Sequence, residues 1–234
     1  MTKTTLVELH WQTTYRRTLL THKESSLRDC VHLFRGLKEL KLQNLGITDS
    51  VIEVICKEIN RFTSIADLDV GVCSRLTDAS LHSISHLTTL RKLNIQCTER
   101  RAEPRYTNTG VLSLLNLQNL EVFNCEGLMK VPGSVSSDLY GQLYLFKNLR
   151  ELYAGFARFD DNDLRYIGRI TSLQRLDLQS SCCNISDDGL FNLAPLKGLK
   201  TLVLGVVKFI TPGGVQGLKS SIPMLEIVYR KSNR

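Results

Sequence analysis

One interval dominates this chain. The pattern Leu-x-x-Leu-x-Leu, with Ile, Val or Ala as stand-ins, occurs at Leu37/Leu40/Leu42, Ile65/Leu68/Val70, Leu90/Leu93/Ile95, Leu117/Leu120/Val122, Leu149/Leu152/Ala154, Leu173/Leu176/Leu178 and Leu199/Leu202/Leu204. Its middle members, at positions 40, 68, 93, 120, 152, 176 and 202, lie 28, 25, 27, 32, 24 and 26 residues apart. A unit this short cannot bury its own apolar side, so it must stack on copies of itself. That predicts a solenoid. Weaker units at Leu6/Leu9/Trp11 and Leu225/Val228 flank the series, as end repeats with one neighbour would. The predicted layout is an N-terminal cap over 1–36, about seven repeats over 37–224, and a capping strand with a tail over 225–234.

Each unit reads as a strand followed by a helix. Leu-x-x-Leu-x-Leu ends with period two, so its leucines share one face of a short strand. Ile47-Thr48-Asp49, Leu76-Thr77-Asp78, Tyr106-Thr107-Asn108, Ile185-Ser186-Asp187 and Ile210-Thr211-Pro212 then supply helix starts. Thr and Ser are good N-caps, and Asp or Pro suits the first helical position. Apolar residues follow at helical spacing, as at Leu81, Ile84, Leu87 and Leu190, Leu193, Leu196. Between strand and helix, Cys73 stands three residues after Val70 and three before Leu76; Cys125 stands the same way between Val122 and Leu128, and Val207 between Leu204 and Ile210. A position that takes Cys or Val asks for a small buried apolar group.

The frame Leu-x-x-Leu-x-Leu-x-x-Cys-x-x-Ile-Thr-Asp-x-x-Leu resembles the cysteine-containing class of leucine-rich repeats found in F-box/leucine-rich-repeat proteins. The resemblance covers about residues 37 to 228. It implies an α/β horseshoe with a parallel sheet on the concave face and helices on the convex face. Cys182-Cys183 shifts the frame by one, Ala157 replaces the cysteine, and residues 99–105 and 129–143 are irregular. The stretch before residue 37 is expected to be too short for an F-box segment, so the ubiquitin-ligase role of that family is not carried over with the fold.

The 234 residues, 42% of them hydrophobic, supply a continuous core, and no apolar run reaches the ~18 residues of a membrane span. MTKTTLVELHWQ lacks a secretory apolar stretch, and the seven cysteines are odd in number and mostly at repeat positions. Both features lead us to expect a cytoplasmic or nuclear protein without disulfides.

Residues that invite chemistry have plainer readings. His82 and His86, four apart, have zinc-ligand spacing but nothing placed to complete a set, which favours a solvated helix face. Asp160-Asp161 and Asp187-Asp188 look like paired carboxylates but fall where other repeats place helix caps. Cys182-Cys183 reads as repeat-turn thiols, and the sequon at Asn184 as chance. With no phosphate loop, His-Glu-x-x-His, Gly-x-Ser-x-Gly or Cys-x-x-Cys, no enzyme, cofactor or metal is expected.

What remains is a surface. The interleaved strand residues should line the concave face: Glu39, Lys41, Asp67, Asp69, Lys92, Asn94, Asn119, Glu121, Glu151, Tyr153, Arg175, Asp177, Thr201, Val203, Ile227 and Tyr229. Six of these are acidic and three basic, against a whole-chain net charge of +7. Candidate partner contacts are Asp67, Asp69, Lys92, Asn94, Glu121, Glu151, Tyr153, Arg175 and Asp177, with Glu121, Tyr153 and Asp177 at the middle. Arg100, Arg101 and Arg105 are candidate polyanion contacts.

The leading expectation is a non-enzymatic adaptor or recognition subunit that holds another protein, through a basic segment, on the concave face. The alternatives are a structural subunit of a larger assembly, RNA-containing or not, docking through basic loops, and a bacterial effector acting in the host cytosol. Nucleic acid is the less favoured partner, since aromatic interleaving is absent.

Overall fold

The computed structural model describes residues 36–62, 64–97, 106–128, 140–156, 159–179, 183–205 and 207–230. In order these form β1 (Glu39–Lys41), α1 (Asp49–Phe62), β2 (Asp67–Asp69), α2 (Asp78–Ile84), β3 (Lys92–Asn94), α3 (Asn108–Ser113) and β4 (Val122–Asn124). Next come α4 (Tyr140–Leu143), β5 (Glu151–Tyr153), α5 (Asp161–Ile167), β6 (Arg175–Leu178), β7 (Cys183–Ser186) and α6 (Asp187–Phe191). The chain closes with β8 (Thr201–Leu204), β9 (Val207–Phe209), α7 (Pro212–Ser221) and β10 (Glu226–Tyr229). The N-terminal cap expected over 1–36 lies, apart from Gly36, outside the described residues.

The strands pair in parallel in the order β1-β2-β3-β4-β5-β6-β8-β10, while β7 and β9 form a separate small ladder. Helices pack beside one another along the other side, α1 on α2, α2 on α3, α4 on α5, α5 on α6 and α6 on α7. Strands stack at about 4.8 Å and helices need about 10 Å, so a sheet on one side and helices on the other must curve with the sheet innermost. This is a leucine-rich-repeat solenoid.

The core is one continuous layer of leucine and isoleucine between sheet and helices. Leu40, Leu68, Leu93, Phe123, Leu152, Leu176 and Leu202 stand side by side in register and are buried. The fourth member corrects the sequence frame: Leu93 pairs with Phe123, not with Leu120. Leu120 instead takes the place of Leu90 and Leu149 in a turn whose N–H returns to a carbonyl three residues back, at 2.9, 3.0 and 3.3 Å for Leu90, Leu120 and Leu149. The corrected middle positions are 28, 25, 30, 29, 24 and 26 residues apart, and the outlying interval of 32 disappears. Phe123 meets Phe146 in the core with ring centroids 6.0 Å apart.

With the frame moves Cys125. It succeeds β4 at the place Ile95 holds after β3, whereas Cys73 sits in a turn and donates its thiol to the Leu42 carbonyl at 3.1 Å. The two cysteines are buried as expected but are not equivalent. A second slip lies at the last strand, where Ile227 pairs with Leu202 and so points inward; Glu226 and Val228 face out instead.

On the helix side a single device recurs four times among the described residues. The aspartate at the first helical position takes both the backbone N–H and the hydroxyl of the capping residue one repeat later. Thr77 binds Asp49 at 2.8 and 2.7 Å, and Thr107 binds Asp78 at 2.8 and 2.6 Å. Ser186 binds Asp161 at 2.8 and 2.6 Å, and Thr211 binds Asp187 at 2.8 and 2.7 Å. The carboxylate lies where the third helical residue of the later repeat would carry its Cβ. Gly110, Gly189 and Gly214 fill that place, since an added Cβ would stand 2.0, 1.8 and 2.0 Å from the oxygen of Asp78, Asp161 and Asp187. Ser80 fills it in the α2 repeat and turns its hydroxyl onto Asp49. The expected capping role of Asp160-Asp161 and Asp187 is therefore divided. Asp160 caps α5 in a capping box with Asp163, while Asp161 and Asp187 join consecutive repeats.

Candidate functional site

The concave face is built from the first and third residues of each strand, which the register sets in two rows. The first row runs Glu39, Asp67, Lys92, Val122, Glu151, Arg175, Thr201 and Glu226; the third runs Lys41, Asp69, Asn94, Asn124, Tyr153, Asp177, Val203 and Val228. Six members are acidic and three basic, as in the sequence frame, because Glu226 enters as Glu121 leaves. Glu121 stands one residue before β4 and is ion-paired with Arg91. It is therefore not in the strand beside Tyr153, where Asn124 sits.

The remaining candidates hold these positions with differing freedom. Asp69, Asn94 and Asp177, with Asn124, each accept the backbone N–H two residues on, at 2.9, 3.0, 3.2 and 3.1 Å. These side chains satisfy the N–H groups where the chain leaves the sheet, a local bond that Asx residues form readily. One residue beyond the N–H groups bound by Asp69 and Asn124, Val72 and Gly127 adopt positive φ, 59° and 79°; Asn44 and Phe156, at 56° and 61°, hold the same place in the repeats of Lys41 and Tyr153. At Val72 the Asp69 bond holds down a bend that a β-branched residue adopts against its preference. Asp177 is only 1% exposed. The alternation of the strand does turn it outward, but Arg175 closes over it with a 3.0 Å ion pair.

Around Tyr153 the groups organise one another. Its hydroxyl donates to Glu151 at 2.7 Å, and the Arg175 guanidinium stands 5.4 Å from its ring centroid, within cation–π range. Burial, with the Glu151 bond added, pushes the Tyr153 hydroxyl up to about 12, so it stays a donor. At the other end of the face, Glu39 is ion-paired with Lys41 at 2.6 Å. Burial and then the nearby Glu39 raise the Asp67 carboxyl above its ordinary value.

A third row, absent from the sequence reading, runs along the lip beyond the strands: Gln43, Gly71, Gln96, Glu126, Gly155, Gln179, Gly205 and Arg230. Gln179 donates to the buried Glu126 at 3.0 Å across an intervening repeat, and Arg230 donates to Gln179 at 3.1 Å. Gly155 leaves the opening, because a Cβ there would come within 2.6 Å of the Gln179 carbonyl and 3.3 Å of Glu126. Burial raises the Glu126 carboxyl, the Gln179 bond opposing it. Once the fourth repeat is framed on Phe123, this row of long polar residues interspersed with glycine can be read from the sequence.

Arg100, Arg101 and Arg105 lie outside the described residues, as do Ala157, Cys182 and the Cys183 side chain. His82 and His86 do not share a helix, since α2 ends at Ile84; their rings meet edge to face at 5.1 Å. Among the described residues no group of three His, Cys, Asp or Glu could hold a metal, and no helix is long and apolar enough to cross a membrane.

The fold has solved counterparts. An internalin C2 from Listeria monocytogenes superposes with a TM-score of 0.56 at 19% identity, over 87% of this chain and 76% of that one. The yeast Rad7 and Elc1 complex contains a chain that superposes with a TM-score of 0.59 at 19% identity, over 97% of this chain and 63% of that one. These are similarities of leucine-rich-repeat fold. No family model matches the sequence, and no curated protein matches it.

Proposed function

We propose that the chain is a non-enzymatic adaptor or recognition subunit whose concave face holds a segment of another protein. The observation that carries this is the Glu151–Tyr153–Arg175–Asp177 group: a half-buried aromatic oriented by two charged neighbours at the centre of an open parallel sheet. Side chains locked before a partner arrives lose little entropy on binding, and a central aromatic is the usual energetic anchor. The 6:3 excess of acid over base on that face favours a basic segment and would steer its approach. The contacting set is narrower than the sequence implies. Lys92, Glu151, Tyr153 and Arg175 would meet the partner, the last three already holding one another or Asp177, while Asp69, Asn94 and Asp177 are engaged by their own backbone. That a solved chain of this fold crystallised with a second protein supports the reading. The burial of Cys56, Cys73 and Cys125 as thiols fits a reducing, cytoplasmic or nuclear setting.

The test compares affinity capture by the wild type and by Tyr153→Ala/Glu151→Lys, with and without nuclease. The variant should lose the nuclease-resistant partner while melting within about 1 kcal/mol of the wild type, as surface changes do. Asp177 is avoided because replacing it would unseat a buried ion pair. If Arg100→Ser/Arg101→Ser/Arg105→Ser lost that partner and the concave variant kept it, docking through basic loops would replace this reading.

A further inference from the structure

Opposite the sheet, between α5 and α6, the helix side opens a groove of about 510 Å³. Its lining carries three cations, Arg165, Arg169 and Lys197, and no carboxylate; its apolar part is Phe191, Ala194 and Pro195. Phe191, the last residue of α6, is 58% exposed.

The charges here are sorted. The four aspartates of these two helices sit in the N-terminal turns, where Asp161 binds Ser186, Asp163 binds the Asp160 N–H, Asp187 binds Thr211 and Asp188 is exposed. None of the three ion pairs among the described residues includes a groove cation. Two of the cations are nonetheless held in place: the Arg169 guanidinium lies 4.0 Å over the Tyr144 ring, and Lys197 donates to the Ser221 carbonyl at 3.1 Å. A helix dipole favours cations at this end. It does not account for an exposed phenylalanine set among them.

We infer that this groove docks an acidic segment of a partner protein that presents one apolar side chain, with its carboxylates on Arg165, Arg169 and Lys197 and the apolar group on Phe191. Guanidinium forks match carboxylates two bonds at a time. A single-stranded nucleic acid would instead want a continuous basic track with aromatics spaced along it; the groove lining offers one aromatic, Phe191, beside small apolar residues, and the neighbouring Tyr144 ring already carries Arg169 on its face. The site lies on the other side of the solenoid from the concave face, so the two proposals stand or fall separately.

The test uses the full chain and a fluorescein-labelled peptide of glutamates and aspartates around one central leucine. A peptide with serine for that leucine and a single-stranded oligonucleotide of equal charge serve as competitors. The leucine peptide should bind, more weakly as salt rises. Arg165→Glu/Arg169→Glu should weaken it by at least about tenfold, as reversal of paired charges does. Phe191→Ser, or the serine peptide, should cost about threefold to tenfold, in keeping with one partly buried side chain. All three substituted residues are exposed, so melting temperatures should not move. Failure of the leucine peptide to bind, indifference to Phe191→Ser, or tighter binding of the oligonucleotide through the same arginines would each overturn the inference.

Discussion

The two faces of this solenoid use the same kind of group to opposite ends. On the helix side a carboxylate meets a Thr or Ser of the next repeat four times, and the paired distances vary by no more than 0.1 Å between joints. On the sheet side the carboxylates are spent differently in each repeat: on Lys41, on a backbone N–H, on Tyr153, on Arg175 or on Gln179. A stacked fold must repeat what joins its units and is free to vary what they display. Uniformity therefore marks structure here, and variety marks the surface available for recognition.

The largest expected effect tests the register that underlies this contrast. Phe123→Ala should cost about 3–5 kcal/mol, and Val122→Ala, on the open face, under about 1 kcal/mol. Equal costs in urea titrations, or the reverse order, would restore the frame in which Leu120 and Val122 point inward.

The joints come next. Asp49→Ala removes an acceptor from Thr77 and Ser80 and should cost about 2 kcal/mol, each bond to a charged group contributing more than a neutral one. Burial pushes the Asp49 carboxyl up, but the Ser80 and Thr77 bonds outweigh it and hold the pKa below its ordinary value. A depressed acid stabilises the fold above its unfolded pKa and loses that contribution as pH falls below it. Part of the acid limb of the stability curve, below about pH 4, should therefore vanish in Asp49→Asn. Asp163 should behave in the opposite sense, because burial raises its carboxyl to about 6 and leaves one oxygen without a partner. Its contribution should grow as pH falls through about 6 and be lost as pH rises, and Asp163→Asn should flatten that slope in melts at successive pH values.

The smallest effect concerns Cys73. Because its thiol already faces the Leu42 carbonyl, Cys73→Ser can keep a donor there and should cost only about 1 kcal/mol, less than a hydroxyl with no partner would. Cys125 should resist thiol reagents in the native state, being buried with its thiol pushed up to about 12. Fast labelling would show that the fourth repeat opens.

Most of the fold is legible in the sequence because the repeat signals its strands and helix starts locally. The slip at Phe123 has a local cause as well. Leu117-x-x-Leu120-x-Val122 and Leu120-x-x-Phe123-x-Cys125 are overlapping apolar frames, and only the turn leucine six residues before Phe123, Leu117, aligned with Leu87 and Phe146, selects the second. The lip is harder to see, since Glu126 and Gln179 meet 53 residues apart. Nor does strand alternation reveal that Asp177, though outward, is covered. Outward direction is set by the backbone, whereas exposure depends on how far a neighbouring arginine reaches.

The recurring Asp–Thr/Ser joint also gives the molecule a direction of growth. A repeat such as the one led by Ser186-Asp187-Asp188-Gly189 carries both halves of the fastening: hydroxyl and glycine to receive its predecessor, and a carboxylate to offer its successor. Tandem duplication of such a unit produces a new boundary whose two sides already match, so the array can lengthen without compensating changes. The α7 unit cannot be copied in this way. It opens on Thr211-Pro212, which receives Asp187 but puts a proline where the next carboxylate would stand, so a unit added behind it would lack that fastening and rest on the strand ladder and leucine packing.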